Sequence, residues 1–177
     1  MQDVINRLRN KKDDEGFTLI ELLVVVVIIG ILVAIAVPVY LNYRKGAADK
    51  AAQSDVRAAV SQVEQFYTDN SNSYPTANYT SKTTSFPVAN TAAASGSTTP
   101  ATTGTPALIN LSDGTTLTYL ATGTDPNNKG ASYKICATNS GGSGKVYAYD
   151  STVGGSVKAL TGANTNVATC GTTTTTP

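Results

Sequence analysis

Few residues in this 177-residue chain could do chemistry, and the most unusual of them is a glutamate at the start of a long apolar run. Glu21 follows Phe17-Thr18-Leu19-Ile20, and it precedes twenty residues without a charge, Leu22 to Leu41. A carboxylate among apolar side chains costs several kcal/mol unless it is neutral or paired, so a protein keeps such a residue only for a reason. The alternative is a carboxylate that lies at a membrane interface and stays hydrated.

Composition limits the remaining chemistry. Histidine is absent, which removes the commonest general base and the commonest metal ligand. Only eight charged residues follow Asn70, so a catalytic cluster is hard to build there, and the chain has no P-loop pattern. The formal net charge of +1 gives no electrostatic reason to expect nucleic acid as an obligate partner. We therefore expect no enzyme activity, no cofactor and no metal site.

Two cysteines, Cys136 and Cys170, lie far from the N-terminus. Two thiols cannot supply the four ligands of a structural zinc site, and their spacing is far from the C-x-x-C of a redox-active pair. They either pair or remain two buried thiols, and the apolar segment favours pairing because disulfides belong to oxidising compartments. A bond between them would close a loop of about 35 residues, for which loop entropy predicts about 3 to 4 kcal/mol of stabilisation.

Four zones of different composition follow one another along the chain. Residues 1–16 are a charged leader, 17–43 are almost wholly apolar, 44–69 have an amphipathic helical pattern, and 70–177 are rich in Thr, Gly, Ser and Asn. Twenty uncharged residues in a helix span about 30 Å, the thickness of a hydrocarbon core, and a lone strand could not satisfy its backbone groups in lipid.

One helix of about fifty residues is therefore predicted from Thr18 to Tyr67, with a kink or local unwinding near Gly30 to Pro38. Its second half has apolar residues at i, i+3, i+4 and i+7, which predicts one buried face. The charged residues between them, Asp49 and Asp55 included, are assigned to the polar face.

The C-terminal zone predicts a small antiparallel sheet. Residues 91–106 have the composition of an exposed loop. Five strands are predicted, at residues 107–111, 115–121, 132–138, 145–149 and 156–160. Asp113-Gly114 predicts a hairpin between the first two, and glycine-rich turns at 141–144 and 154–155 join the later ones. The predicted fold class is α+β, with the long N-terminal helix packed on this sheet.

The segment Gly16-Phe17-Thr18-Leu19-Ile20-Glu21, between a charged leader and Pro38, closely resembles the prepilin processing site of type IV pilins and their relatives. The resemblance implies removal of residues 1–16 by a prepilin peptidase, which cuts between Gly16 and Phe17, and N-methylation of Phe17. It implies that the new amine pairs with Glu21 of a neighbouring subunit and that Pro38 shapes the assembly helix. It also implies a disulfide that fastens the last stretch of chain onto the sheet.

The same resemblance implies a structural subunit of an extracellular type IV pilus that supports adhesion, motility or DNA uptake. The subunit would begin as a single-pass protein of the cytoplasmic membrane and end in a filament on the cell surface. Its partners would be other copies of itself, the peptidase and methylase, and an assembly machinery with a cytoplasmic ATPase. Nucleic acid would be a partner only through DNA uptake. Asp13-Asp14-Glu15 departs from the basic leaders common in the family, so a cytoplasmic leader rests on the resemblance alone.

Other functions stay open. A pseudopilin of a type II secretion system or of a competence pilus would carry the same processing site, and so would an adhesive minor pilin. A membrane-anchored enzyme or receptor domain is a different class. Ala34-Ile35-Ala36 also matches the cleavage pattern of a secretory signal peptide, which would release a protein beginning at Val37 but would leave Glu21 unexplained.

Overall fold

The computed structural model describes residues 16–92, 101–124, 130–161 and 165–171. The chain divides into two compact units, an N-terminal unit (Met1–Asn42) and a C-terminal unit (Tyr43–Pro177). The described elements are one helix and seven strands: α1 (Leu19–Asp69), β1 (Tyr79–Lys82), β2 (Phe86–Ala92), β3 (Ala101–Ile109), β4 (Thr115–Thr124), β5 (Gly130–Asn139), β6 (Tyr147–Asp150) and β7 (Lys158–Ala159).

The long helix is confirmed, with ends within two residues of those predicted. Every residue of α1 is helical, Pro38 included, so the local unwinding that was one alternative near Gly30 to Pro38 is not found. The kink that was the other alternative stays a prediction. Proline lacks one backbone donor, yet a helix can continue through it where the surroundings tolerate the single missing bond.

In the C-terminal unit, α1 buries an apolar stripe against the sheet. The stripe consists of Ala52, Val56, Ala59, Val63 and Phe66, spaced alternately by four and three residues. This spacing puts the five side chains on one helix face, which confirms the predicted amphipathic pattern. The assignment of Asp49 and Asp55 to the polar face is wrong, because both are buried, at 6% and 7% exposure.

The main sheet has five antiparallel strands in the order β1-β4-β5-β6-β7. Alternate residues of its strands face α1 and complete the core, and these include Leu117, Tyr119, Tyr133, Ile135 and Tyr147. The opposite face carries a second, smaller cluster around Cys136, Val146 and Cys170. The sheet is therefore covered on both faces, which explains why its side chains alternate between two apolar environments.

A second sheet of two antiparallel strands, β2 and β3, departs from the prediction. The expected hairpin across Asp113-Gly114 is wrong, because β3 pairs with β2 and not with β4. The predicted loop at residues 91–106 is wrong at both ends, which lie in these two strands, while residues 93–100 fall outside the described residues. The physical reason is burial: Val88 of β2 and Ile109 of β3 are both fully buried in the main core, so both strands must cover it.

Asp113-Gly114 instead forms a turn that leads from one sheet into the other. Thr115 donates its N–H to the carbonyl of Ser112 at 3.0 Å, and Gly114 has φ of +71°. The two later glycine-rich turns are confirmed as antiparallel connections, from β5 to β6 and from β6 to β7. Of the two strands with no predicted counterpart, β1 lies at one edge of the main sheet.

Candidate processing and assembly site

The candidate site lies where the chain enters α1. Gly16, Phe17 and Thr18 are not helical, and the helix begins at Leu19. Phe17 is 86% exposed and Glu21 is exposed as well. The peptide bond between Gly16 and Phe17 therefore lies outside the helix, in a segment open to another molecule.

Thr18 and Glu21 form a reciprocal helix cap. The carbonyl of Thr18 accepts the N–H of Leu22 at 3.3 Å, which makes Thr18 the N-cap residue. The N–H of Glu21 donates to Thr18 Oγ1 at 3.3 Å, and the N–H of Thr18 donates to Glu21 Oε2 at 2.8 Å. Each side chain thus satisfies a backbone donor of the other residue, and this is the arrangement of a capping box.

The two oxygens of the Glu21 carboxylate are used unequally. Oε2 accepts two hydrogen bonds, from the N–H of Thr18 and from its hydroxyl at 2.7 Å. Within the described ranges, no donor reaches Oε1. Since an ionised carboxylate offers about four lone-pair sites, Oε1 remains able to accept a further donor or a cation.

The N-terminal unit presents an unbroken apolar surface. The large apolar side chains from Leu19 to Leu41 are between 47% and 83% exposed. Monomeric soluble proteins rarely expose a contiguous apolar patch of this extent. Among the described residues, α1 is the helix that is long and apolar enough to cross a membrane. Lipid or other protein chains must therefore cover this surface.

The exposed surface extends to two tyrosines, Tyr40 and Tyr43, which are 65% and 77% exposed. Tyrosine combines an apolar ring with a polar hydroxyl and is enriched where a membrane meets water. Pro38 lies inside the same apolar surface. The placement agrees with a membrane boundary near the end of the N-terminal unit.

In the C-terminal unit, a second carboxylate contacts two tyrosines. Tyr133 donates its hydroxyl to Glu64 Oε1 at 2.7 Å, and Tyr74 donates to Oε2 at 3.1 Å. Burial, reinforced by Glu64, raises the pKa of Tyr74 to about 12 and raises the pKa of Tyr133 even further above its usual range. Tyrosines with pKa values raised this far stay protonated and cannot serve as bases. The network therefore has a structural role, since it joins Glu64 of α1 to Tyr133 of β5.

Two more acids of α1 fasten loops to the helix. Asp55 accepts the N–H of Ser112 at 2.9 Å and its hydroxyl at 2.8 Å. Asp49 accepts the N–H and the hydroxyl of Ser143 at 2.9 and 2.5 Å. Asp55 therefore holds the loop before β4, and Asp49 holds the loop after β5. Each accepts one hydrogen bond from the backbone and one from the side chain of its serine. Buried acids satisfied in this way have a structural role.

The disulfide joins Cys136 and Cys170, with their Cα atoms 5.4 Å apart. Leu120, Ala148, Leu160 and Val167 pack around it. The bond holds the segment that contains Cys170 against the face of the sheet opposite α1. In the part of the chain that the structure describes, no group of three or more potential ligands could hold a metal ion.

The N-terminal part of the chain matches a known protein family. Residues 11–37 match the family described as the prokaryotic N-terminal methylation motif. The chain therefore carries the N-terminal motif of type IV prepilins, which coincides with the candidate site and the first half of the apolar surface. No solved structure matches the chain.

The particular relatives are pilins and pseudopilins. The chain is 39% identical over 66 residues to type II secretion system core protein G of Dickeya chrysanthemi, which covers 37% of this chain and 42% of that protein. It is 49% identical over 57 residues to a fimbrial protein of Pseudomonas aeruginosa, covering 32% of each. It is 35% identical over 65 residues to the type IV major pilin protein PilA of Myxococcus xanthus, covering 37% of this chain and 30% of that protein. The chain spans less than half the length of these curated relatives.

The structure brings three of the predicted site residues close together and leaves the others apart. Gly16, Phe17 and Glu21 lie at one helix start, and the cysteines lie in the C-terminal unit. The sequence interpretation missed Thr18 as the cap, although the pattern of threonine three residues before glutamate and an apolar run is a known signal for it. It also missed Glu64, whose tyrosine partners lie ten and 69 residues away, beyond the reach of any local pattern.

Proposed function

We propose that this protein is the structural subunit of a type IV pilus, made as a membrane-anchored precursor and polymerised after removal of its leader. The observation that carries the proposal is the exposed apolar surface of the N-terminal unit, which begins just after the non-helical Gly16-Phe17 peptide and the helix cap at Thr18. The methylation motif over residues 11–37 supports the same proposal. The domains would be the leader at 1–16, the membrane and assembly segment at 17–43, the amphipathic helix at 44–69, and the remainder of the head at 70–177.

Before assembly, lipid covers the apolar surface. The helical residues from Leu19 to Asn42 span about 36 Å, which is enough for a hydrocarbon core of about 30 Å with some tilt. Tyr40 and Tyr43 lie at the outer interface, and the leader lies in the cytoplasm. The peptidase cuts between Gly16 and Phe17, and the new amine of Phe17 is methylated.

After assembly, other copies of the same segment replace lipid around the apolar surface. The ammonium of Phe17 on one subunit pairs with Glu21 of a neighbour, and Oε1, which no donor of the described residues reaches, offers it an acceptor. The pairing neutralises two charges that a filament core could not otherwise accommodate. Repetition of a head-to-tail contact that does not close a ring produces an open helical filament.

The C-terminal unit forms the outer surface of the filament. Its disulfide and its buried loop anchors suit a domain that works outside the cell. The resemblance to type IV pilins implies that an assembly ATPase on the cytoplasmic side supplies the energy for extraction from the membrane. This chain has no P-loop with which to bind ATP itself. Other pilin copies, the peptidase and methylase, and this assembly machinery are the proposed partners.

The test is the intact mass of the protein in filaments sheared from cells, measured with and without reduction. We expect a chain that starts at Phe17, is one methyl group heavier than the sequence, and gains two hydrogens on reduction. A chain that starts at Val37, or a full-length chain in membranes with no filament, overturns the proposal.

Glu21→Gln tests the assembly step separately from processing. The amide keeps an oxygen that can accept the Thr18 N–H, but it cannot neutralise a neighbour's ammonium. We therefore expect normal membrane insertion, normal loss of the leader and at least a tenfold loss of sheared filament. Asp69→Asn, which changes an exposed acid at the other end of α1, is the matched control. Normal filament yield from Glu21→Gln would argue against the charge pairing.

A pseudopilin of a type II secretion system is the second candidate, because several relatives are core protein G of such systems. Deletion of the gene separates the two functions. Loss of surface filaments with normal protein secretion supports the pilin, whereas accumulation of secreted proteins inside the cell with unchanged filaments supports the pseudopilin.

A further inference from the structure

The position of the helix start relative to the peptide bond proposed for cleavage carries a further inference. That bond joins Gly16 to Phe17, and the capping box begins one residue later, at Thr18. All three hydrogen bonds of the box join atoms of Thr18 and Glu21. The box therefore lies wholly on the mature side of the bond and can persist through cleavage.

We infer that Thr18 is a positioning residue for processing: its cap fixes the helix start at Leu19 and so keeps the Gly16–Phe17 peptide extended for the peptidase. The inference rests on the proposed function and names a residue to which that function gives no task.

The physical reason is a competition between capping and helix extension. An N-cap residue has non-helical backbone angles, so a strong cap at Thr18 ends the helix there and excludes Phe17 and Gly16 from it. Without the cap, the apolar run can extend its helix by another turn, with the acidic residues 13–15 placed where a helix N-terminus favours negative charge. A scissile peptide inside a helix has its carbonyl engaged in the helix and is shielded from a peptidase.

The two side chains of the box divide the work. The Thr18 hydroxyl accepts the Glu21 N–H and donates to Oε2, while the carboxylate accepts the Thr18 N–H. Serine, asparagine and aspartate can replace the acceptor function of threonine at an N-cap, and valine and alanine cannot. Valine has nearly the shape of threonine, so substitutions at this position separate hydrogen bonding from shape.

The experiment follows leader removal from the full-length chain in membranes that also contain a prepilin peptidase. Mass spectrometry measures the processed fraction over time for the wild type, Thr18→Val, Thr18→Ser and Thr18→Asn. Because a lost cap changes a helix-start equilibrium by a factor of about 3 to 30, we expect Thr18→Val to be processed about 3- to 30-fold more slowly. Thr18→Ser and Thr18→Asn should match the wild type.

Two controls separate the cap from other effects. Thr68→Val removes a threonine from the last turn of the same helix, where its hydroxyl donates to the carbonyl of Glu64, and it should be processed at the wild-type rate. The alkali-resistant membrane fraction of each variant checks that insertion is unchanged.

Each outcome decides the inference. If Thr18→Val is processed as fast as the wild type or faster, the cap has no positioning role. If Thr18→Ser and Thr18→Asn are slowed as much as Thr18→Val, the peptidase reads the threonine side chain itself and the inference also fails. If the wild type itself is not cut between Gly16 and Phe17, the proposed function fails instead.

Discussion

The two halves of α1, one in each unit, differ in how far their side chains are buried. In the N-terminal unit, α1 exposes every large apolar side chain, and its acid Glu21 is exposed, with Oε1 free of any donor among the described residues. In the C-terminal unit, α1 buries an apolar stripe and two acids, Asp49 and Asp55, each of which accepts two hydrogen bonds from a loop serine, one on each oxygen. The C-terminal half of α1 is covered by other parts of the same chain once the chain has folded. The apolar side chains of the N-terminal half have no such cover within the described residues, so lipid or other protein chains must supply it.

The largest effect on the C-terminal unit is expected when its disulfide is removed. Replacement of Cys136 and Cys170 by alanine should lower the free energy of unfolding by about 2 to 5 kcal/mol, because the unfolded chain is no longer constrained. Urea titration of the full chain in detergent, followed by tyrosine fluorescence, measures the change. Reduced wild-type protein should behave like the double variant. A loss below about 1 kcal/mol would mean that the packing around Leu160 and Val167 holds this segment without the bond.

A charge introduced into its apolar surface tests the role of the N-terminal unit. Val33→Asp should disfavour membrane insertion by about 3 kcal/mol, because the carboxylate lies near the centre of the apolar run. The measurement is the membrane-inserted fraction of the newly made chain. Val153→Asp is the matched control, since this valine is 75% exposed in the C-terminal unit. Equal insertion of both variants would contradict a membrane role for the N-terminal unit.

A buried acid of α1 is expected to stabilise the C-terminal unit by a smaller amount. Asp55→Ala leaves two donors of Ser112 without an acceptor and should lower the free energy of unfolding by about 1 to 3 kcal/mol. Asp69→Ala removes an exposed acid of the same helix and should change it by less than about 0.5 kcal/mol. Similar losses in urea titrations of the two variants would show that Asp55 is not a loop anchor.

The tyrosines predict how the C-terminal unit responds to alkali. Burial and the nearby Glu64 raise the pKa of Tyr74 to about 12. Burial also raises the pKa values of Tyr119 and Tyr133, and by more. The unfolded chain loses these protons near pH 10 and the folded chain does not, so stability is complete below pH 10 and falls as pH rises from about 10 towards 12. Urea midpoints between pH 8 and 12 measure the fall. Tyr133→Phe should make the fall shallower, and an unchanged slope would contradict this origin.

The smallest effect is expected at the ion pair of Lys134 with Asp150, whose nitrogen and oxygen lie 2.9 Å apart. Burial acts to raise the pKa of Asp150, but hydrogen bonds from Thr152 and Lys134 outweigh it and hold this pKa below its usual value. Both side chains are partly exposed, so Lys134→Ala should lower the free energy of unfolding by less than about 1 kcal/mol. A larger loss in the same titration would show that the pair also fixes the pairing of β5 with β6.

Sequence interpretation succeeded where the information is local. The ends of α1, its apolar stripe from Ala52 to Phe66, and the turns after β5 and β6 all follow from short-range spacing and composition. It failed at Asp113-Gly114, because a turn signal indicates a change of direction but not which strands pair. It also failed at Asp49 and Asp55, because helix periodicity treats a charge as exposed unless distant donors are known.

The sequence by itself determined that the chain has an apolar helix with a lone glutamate near a Gly16-Phe17 junction, because lipid-length hydrophobicity and motif spacing are properties of consecutive residues. It also restricted the two cysteines to a small set of roles. Only the tertiary structure decided which acids are satisfied inside the chain, that β3 pairs with β2, and that the disulfide lies on the sheet face opposite α1. These features depend on contacts between residues tens of positions apart, and such contacts exist only once the core has formed.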